Sequence, residues 1–296
     1  MSSLEISELM YMAKVSIIVQ ARNEIFLRHT IDDLLSNATG DVELIVILDG
    51  YWPNPPLPDY DKMRIIHFGS PRGMRAGENA AAGIATGKYY LKCDAHCAFG
   101  KGYDEILQTD CADNWIVIPR RYSLNPDTWA PAEKEYIDSE HLFYPYAHPE
   151  DLGLHARPWM QRGRERKDFL IDEDMSFQGS CWFMSAEHFH KRLGGLDESL
   201  YGWFWSEPQE TGLKTQLGPW DGAIMRNKKT WYAHLHKGKR FGRMYHQSDR
   251  NKPNDWTFDY WWNNRWEQRI HNIEWMIDKF MPIPGWPENW KELKNG

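Results

Sequence analysis

Long apolar runs are missing from this chain. Nowhere do roughly 18 apolar residues follow one another, the length that a bilayer crossing needs, so no membrane-spanning role is expected. Cysteine is scarce as well. The four present, Cys93, Cys97, Cys111 and Cys181, match neither a zinc-binding spacing nor a disulfide framework, and reduced thiols are expected. Positive charge is not in excess: the formal net charge is -7, which argues against a chain wholly devoted to nucleic acid and leaves only local basic patches to consider. The opening "MSSLEISELMYMAK" lacks a basic segment followed by an apolar one, so no secretory signal is read and a cytoplasmic location is expected. No internal repeat and no low-complexity segment occurs. What the chain has is length and aromatics: 296 residues with 16 Trp, ample for a sizeable core.

"VSIIVQARNE" opens with an apolar, β-branched run from Val15 to Val19, short enough for a buried parallel strand. A helix is expected from about Glu24 to Leu35, closed by "NATGD". "VELIVILDG" reads as a second buried strand ending at Asp49, "MRIIHF" as a third, and "AGENAAAGIATG" as a small-residue helix leading to a strand from Tyr89 to Lys92. Strands alternating with helices predict an α/β fold whose parallel sheet is covered on both faces. Ligands of such sheets bind beyond the carboxyl ends of the strands. Arg22, Asn23, Asp49, Asp94 and His96 all fall there. From Pro119 the regularity fades into a polar, turn-rich stretch, expected to fold over the sheet. Order returns near "MSFQGSCWFMSAEHFHKRLGG", with a further helix from about Pro208 that leaves Glu207 just outside. "WTFDYWWNNRWEQRIHNIEWMIDKF" is read as an aromatic helix packing back on the body.

The chemistry concentrates in "YYLKCDAHCAFG". Side chains two apart on an extended segment point the same way, so Asp94 and His96 can grip one object, and a carboxylate beside an imidazole suits Mn²⁺, or Mg²⁺ with waters completing the shell. Two other acidic pairs compete. Asp59 and Asp61 lie in a proline-rich loop, and Asp172 and Asp174 lack the helix-then-strand context, so Asp94 and His96 rank first. The rival reading is a helix cap by Asp94 with a surface histidine beside it. A divalent ion at such a place neutralises charge on a departing nucleotide diphosphate.

From "RGMRAGENAAAGIATGKYYLKCDAHCAFGKGYDEIL" onward the chain resembles the nucleotide-binding half of a GT-A glycosyltransferase of the family-2 type, a Rossmann-like fold. "DAHC" resembles in particular the polypeptide N-acetylgalactosaminyltransferases, as do "WFWSEPQETGLKTQLG" and "WYAHLHKGK". The resemblance covers most of residues 15 to 280 and is weakest between about 120 and 170. It implies a single GT-A domain over 1–296, with a nucleotide-binding half at 15–118, a donor-sugar and acceptor half at 119–250, and a C-terminal aromatic helix at 251–296. It implies a metal-dependent transfer from a nucleotide-sugar co-substrate, expected to be a UDP-sugar, to a hydroxyl. Carried over residue by residue, it makes Asp94, His96 and His234 metal ligands, with His236 the competitor of His234. Lys237, Arg72 and Arg75 match residues that meet ribose or diphosphate, Asp49 the acid that reads the base, and Gln20 and Arg22 the lining of the nucleoside. Glu207 and Glu210 match the two acids near the donor sugar and acceptor, the expected catalytic pair. The chain departs from the inverting pattern at Pro208, where an Asp would serve as base. Either Glu207 takes the proton or configuration is retained, and the reading leans to retention.

The acceptor is the open end of this reading. "HARPWMQRGRERK" sets Arg157, Arg162, Arg164, Arg166 and Lys167 around Trp159, read as exposed. "HKGKRFGRMYHQSDRNK" mixes Lys237, Lys239, Arg240 and Arg243 with Phe241 and Tyr245. Basic residues among aromatics hold phosphates and stack on bases, so the segments 155–167 and 237–250 nominate DNA as a partner. By resemblance, compact transferases of this sort include bacteriophage enzymes that glycosylate hydroxymethylated bases, which must be flipped out of the stack. A polysaccharide, a teichoic acid or a protein hydroxyl stays open, as does a nucleotide-sugar or nucleic-acid binding module without turnover. Trp203, Trp205, Trp261 and Trp262 are read either as sugar-stacking surfaces or as core.

Overall fold

The computed structural model describes residues 13–147, 153–204, 206–242 and 254–295. Its first part alternates as the apolar pattern predicts: β1 (Val15–Ala21), α1 (Leu27–Asn37), β2 (Val42–Asp49), β3 (Met63–Phe68), α2 (Met74–Ile84), β4 (Tyr89–Asp94), β5 (Cys97–Phe99) and α3 (Tyr103–Thr109). β1, β2, β3 and β4 pair in parallel. β1 and β2 are buried along almost their whole length because helices cover both faces, which is why they read as unbroken apolar runs. α1 turns Leu27, Thr30, Ile31 and Leu34 inward at helical spacing. It starts three residues later than the sequence suggests. Asn23 sits at φ 51°, turning the chain, and the Glu24 carboxylate accepts the Phe26 N–H before the helix begins.

The second part adds β6 (Trp115–Asn125), β7 (Ala130–Pro131), β8 (Glu140–Leu142), β9 (Ala156–Pro158), α4 (Met160–Glu165), β10 (Ile171–Asp174), β11 (Cys181–Ser185), α5 (Glu198–Tyr201), α6 (Glu207–Leu217) and β12 (Ala223–His234). One sheet runs through both parts in the order β10-β12-β6-β11-β4-β1-β2-β3. β11 is wedged antiparallel between β4 and β6, while β6 and β12 run parallel to each other. Regular structure does not stop at Pro119. β6 continues to Asn125, and its register with β12 slips between Asn227 and Trp231, beside the one residue that has no N–H to give. α6 takes in Glu207 as its first residue, with proline in its first turn.

The chain closes with α7 (Gly238–Phe241), α8 (Asn254–Trp262), α9 (Ile273–Phe280) and α10 (Trp290–Asn295). The aromatic tail is therefore three helices and not the single one expected. Asn264, at φ 54°, ends the first run and accepts the Ile273 N–H, and Asn272 caps α9 by accepting the Trp275 N–H. Trp261, Trp262, Trp266, Trp286 and Trp290 from this tail are buried together against Tyr201, Leu213 and Leu217. Trp261 and Trp262 are core, so the sugar-stacking alternative falls away for both. Trp205 lies outside the described residues. Among the described residues no helix is long and apolar enough to cross a membrane.

Candidate functional site

β4 ends at Asp94 and the chain turns at once through Ala95 and His96 into β5. β5 then pairs antiparallel with the end of β12, setting Cys97 opposite His234, and the Leu235 N–H donates to the His96 carbonyl at 3.1 Å. That pairing delivers a third side chain to the first two. His234 Nε2 lies 3.3 Å from Asp94 Oδ2 and 3.1 Å from His96 Nε2, and His96 Nε2 is 3.8 Å from Asp94 Oδ2. One atom from each residue converges within 4.8 Å, a candidate cation site. His236 lies past the end of β12, exposed, with its ring edge-on to His234. Of the two histidines that the sequence left in competition, His234 is the one beside Asp94.

The charge states suit a cation. Burial would raise the Asp94 carboxyl, but the Lys92 ammonium and the two histidines outweigh it and hold Asp94 well below the usual carboxylate range. Burial pushes the His234 imidazole down to about 3, despite its bond to Asp94, so it is neutral at pH 7, the form that binds metal. A carboxylate and two imidazoles form a donor set for Mn²⁺ or a similar ion. The residues present fit such a group.

Around this centre stand the other expected residues. Gln20 is the register neighbour of Asp94 across β1 and β4. Its Oε1 is buried without a hydrogen-bond partner, and a Cβ on Gly77 would come within 2.5 Å of it. Arg22 is half-buried just beyond β1. Asp49, at the end of β2, is 2% exposed and accepts the backbone N–H groups of Arg72 at 2.6 Å and Gly73 at 3.2 Å. In this geometry the acid expected to read a base anchors the loop that enters α2. Arg72 is exposed, with its guanidinium 5.0 Å above the Phe68 ring. Lys237, beyond β12, donates to Glu24 Oε2.

Arg75, Glu207 and Glu210 are placed differently from expectation. Arg75 and Glu210 are fully buried and paired with each other, and Glu210 also accepts from Lys214 Nζ at 2.7 Å and the Asp197 N–H at 3.0 Å. They brace α2 against α6. A direct contact of either with phosphate, sugar or acceptor would require that brace to open. Glu207, 3% exposed, accepts from the Trp182 indole and from Lys92 Nζ at 3.2 Å.

Lys92 is the residue that sequence reasoning missed. Its ammonium lies 2.5 Å from the Gly179 carbonyl, 3.3 Å from Asp94, 3.2 Å from Glu207 and 3.5 Å from Glu78, so it ties the cation site to α6 and α2. Burial, then the charge of Glu207, pushes the Glu78 carboxyl up to about 8. The signal was present in "YYLKCD": a lysine inside an otherwise apolar strand, two residues before Asp94 and thus on the same face.

The rival acidic pairs have other work. Asp174 is buried against Arg226 and accepts the Glu140 N–H, and Asp172 pairs with Arg166. Asp59 and Asp61 line a cavity of about 390 Å³ beside Leu35 and Gly40. The basic segments are also less free than their composition suggests. Arg164 forms a double hydrogen bond to Glu135, Arg166 is held by Asp172, Arg162 donates to the Glu173 carbonyl, and Arg240 pairs with Asp127. Trp159 is buried and not exposed. Residues 243–250, with Arg243 and Tyr245, lie outside the described residues.

A family model, Glycosyl transferase family 2, matches residues 16–193, from β1 through β11. The chain belongs to that family. Among solved structures, GalNAc-T7 with UDP, GalNAc and Mn²⁺ aligns with a TM-score of 0.63 at 14% identity, over 96% of this chain and 54% of its own. The mannosyltransferase PcManGT from Pyrobaculum calidifontis, in complex with GDP-Man and Mn²⁺, aligns with a TM-score of 0.43 at 14% identity, over 73% of this chain and 57% of its own. TarS 1–349 from S. aureus gives 0.44 at 12%, over 73% and 60%. The chain thus spans between half and two thirds of each of these. At such identity the GalNAc-T7 likeness is one of fold, and the fold is GT-A. No curated protein sequence matches the chain.

Proposed function

We propose that the protein transfers a sugar from a nucleotide diphosphate donor, with UDP-sugars the first to test, to a hydroxyl. The observation that carries this reading is the convergence of Asp94, His96 and His234 at the carboxyl ends of the parallel strands, with Lys237 close by. Membership of the family supports it, as does a GT-A relative that binds UDP and Mn²⁺. Asp94, His96 and His234 would hold the divalent ion, which when bound supplies positive charge to the leaving diphosphate. Lys237 adds a second cation to the diphosphate. Gln20, Arg22, Asp49 and Arg72 border the nucleoside.

Glu207 and Glu210 are buried in ion pairs, and Pro208 stands where a base would be. That supports retention. In such a front-side step the bond from the sugar's anomeric carbon to the diphosphate breaks and the bond to the acceptor oxygen forms on the same face. The acceptor's proton passes to the leaving phosphate oxygen. Glu207 and Glu210 then orient through the groups they hold. For the acceptor, the ion pairs of Arg164, Arg166 and Arg240 leave the DNA reading with less unpaired charge than the segments promised. DNA therefore stands as one arm of the test beside saccharide and protein hydroxyls.

The test is a UDP-sugar panel with Mn²⁺, first without acceptor and then with hydroxymethylated DNA, saccharides and peptides, read by mass spectrometry and by NMR of the product anomer. Metal-dependent release of UDP is the expected result. Equal turnover in excess chelator, or none with any donor, would overturn the reading.

A further inference from the structure

Glu24 stands in no role above, yet its carboxylate meets three partners beside the cation site. It follows β1 in the loop turned by Asn23 and is 9% exposed. Its Oε1 accepts the Phe26 N–H at 3.1 Å, while its Oε2 faces His96 Nδ1 at 3.1 Å and takes Lys237 Nζ. An ionised carboxylate has no hydrogen to give. The hydrogen in the His96 contact must therefore sit on Nδ1, and in the neutral imidazole Nε2, which faces Asp94 and His234, then carries the lone pair.

We propose that Glu24 is the positioning residue of the cation site: through Oε2 it fixes the ring and tautomer of His96, so that Nε2 is the nitrogen offered to a divalent cation, and it holds Lys237 beside that ion. The inference rests on the metal reading above. A histidine ligand depends on the group that its other nitrogen meets, because that group sets both tautomer and basicity. The arrangement also joins the two parts of the chain. Glu24 comes from the loop after β1, His96 from the turn after β4 and Lys237 from beyond β12, so one carboxylate gathers the cation ligand and the ammonium expected to meet the diphosphate.

The experiment measures Mn²⁺ binding to the full chain by EPR with no donor present, together with the ¹⁵N shifts of the His96 ring. Glu24→Gln keeps the shape and an acceptor oxygen but loses the charge, and Glu24→Met loses both. The expected order of affinity is wild type, then Gln, then Met, with the Met variant about 10- to 100-fold weaker and its His96 ring no longer held as the Nδ1–H tautomer. Lys237→Met should not weaken Mn²⁺ binding in the absence of donor, which separates the loss of a carboxylate from the loss of its second partner. A folded Gln or Met variant with wild-type Mn²⁺ affinity and an unchanged His96 tautomer would overturn the inference. A wild-type protein that takes up no Mn²⁺ would instead remove the metal reading, and the inference with it, so the two failures are distinguishable.

Discussion

Lys92 faces three carboxyl groups from inside the sheet, and its neighbours leave it no water to fall back on. Burial penalises its charge, yet Glu207, Glu78 and Asp94 keep the ammonium protonated well above its ordinary range. Removing one partner of a buried ionic cluster strands the others. Lys92→Met should therefore lower stability by about 3–5 kcal/mol in urea titration. Adding Glu207→Gln should recover part of that loss, because the two residues share one network. A loss no larger than that of a surface substitution would show that the three acids do not depend on Lys92. The histidines give a second prediction at this scale. His234→Ala should weaken Mn²⁺ binding more than His236→Ala, since only His234 lies against Asp94. Equal effects in EPR titration would place the third ligand wrongly.

At the scale of elements, what the sequence disclosed followed the range of the interactions involved. β2 ends at Asp49 and β3 spans Met63–Phe68, as their local patterns predict, and Asp94 and His96 were legible from the two-residue period of a strand. His234 reaches His96 only because β5 and β12 pair across 138 residues, a register that no local pattern carries and that resemblance alone had suggested. The same holds for the buried pair of Arg75 and Glu210, 135 residues apart, which the resemblance presented as a phosphate contact and a catalytic acid. In the tail the aromatic periodicity hid two asparagines. Asn264 and Asn272 interrupt it because their side chains satisfy backbone N–H groups at the start of α9. Asn272→Ala should cost about 1 kcal/mol, the usual worth of such a cap, read as a lower urea midpoint with an unchanged slope. No loss would mean that packing of Ile273, Met276 and Ile277 alone holds the helix.

For the molecule as a whole, pH is the lever that separates buried neutral groups from solvated ones. His188 is fully buried behind β11, bonded through Nε2 to Thr215 Oγ1 at 2.8 Å, with Nδ1 unpartnered. Burial, helped by the charge of Arg192, pushes its imidazole down to about 3, against 6.5 for the free side chain. Between those values the unfolded chain binds a proton at this position and the folded chain does not. Stability is thus unaffected by His188 above pH 6.5 and falls as pH drops toward 3. The slope from one such group approaches about 1.4 kcal/mol per pH unit. Replacing it by His188→Gln removes the titration, whatever the substitution does to absolute stability. Urea unfolding at pH 7.5, 6.5, 5.5 and 5.0 should therefore show a wild-type curve that falls more steeply than the variant's over the acid half of the range. The two curves should run parallel above neutrality. Parallel curves throughout would mean that His188 takes up its proton while folded, and that the space around Nδ1 admits water.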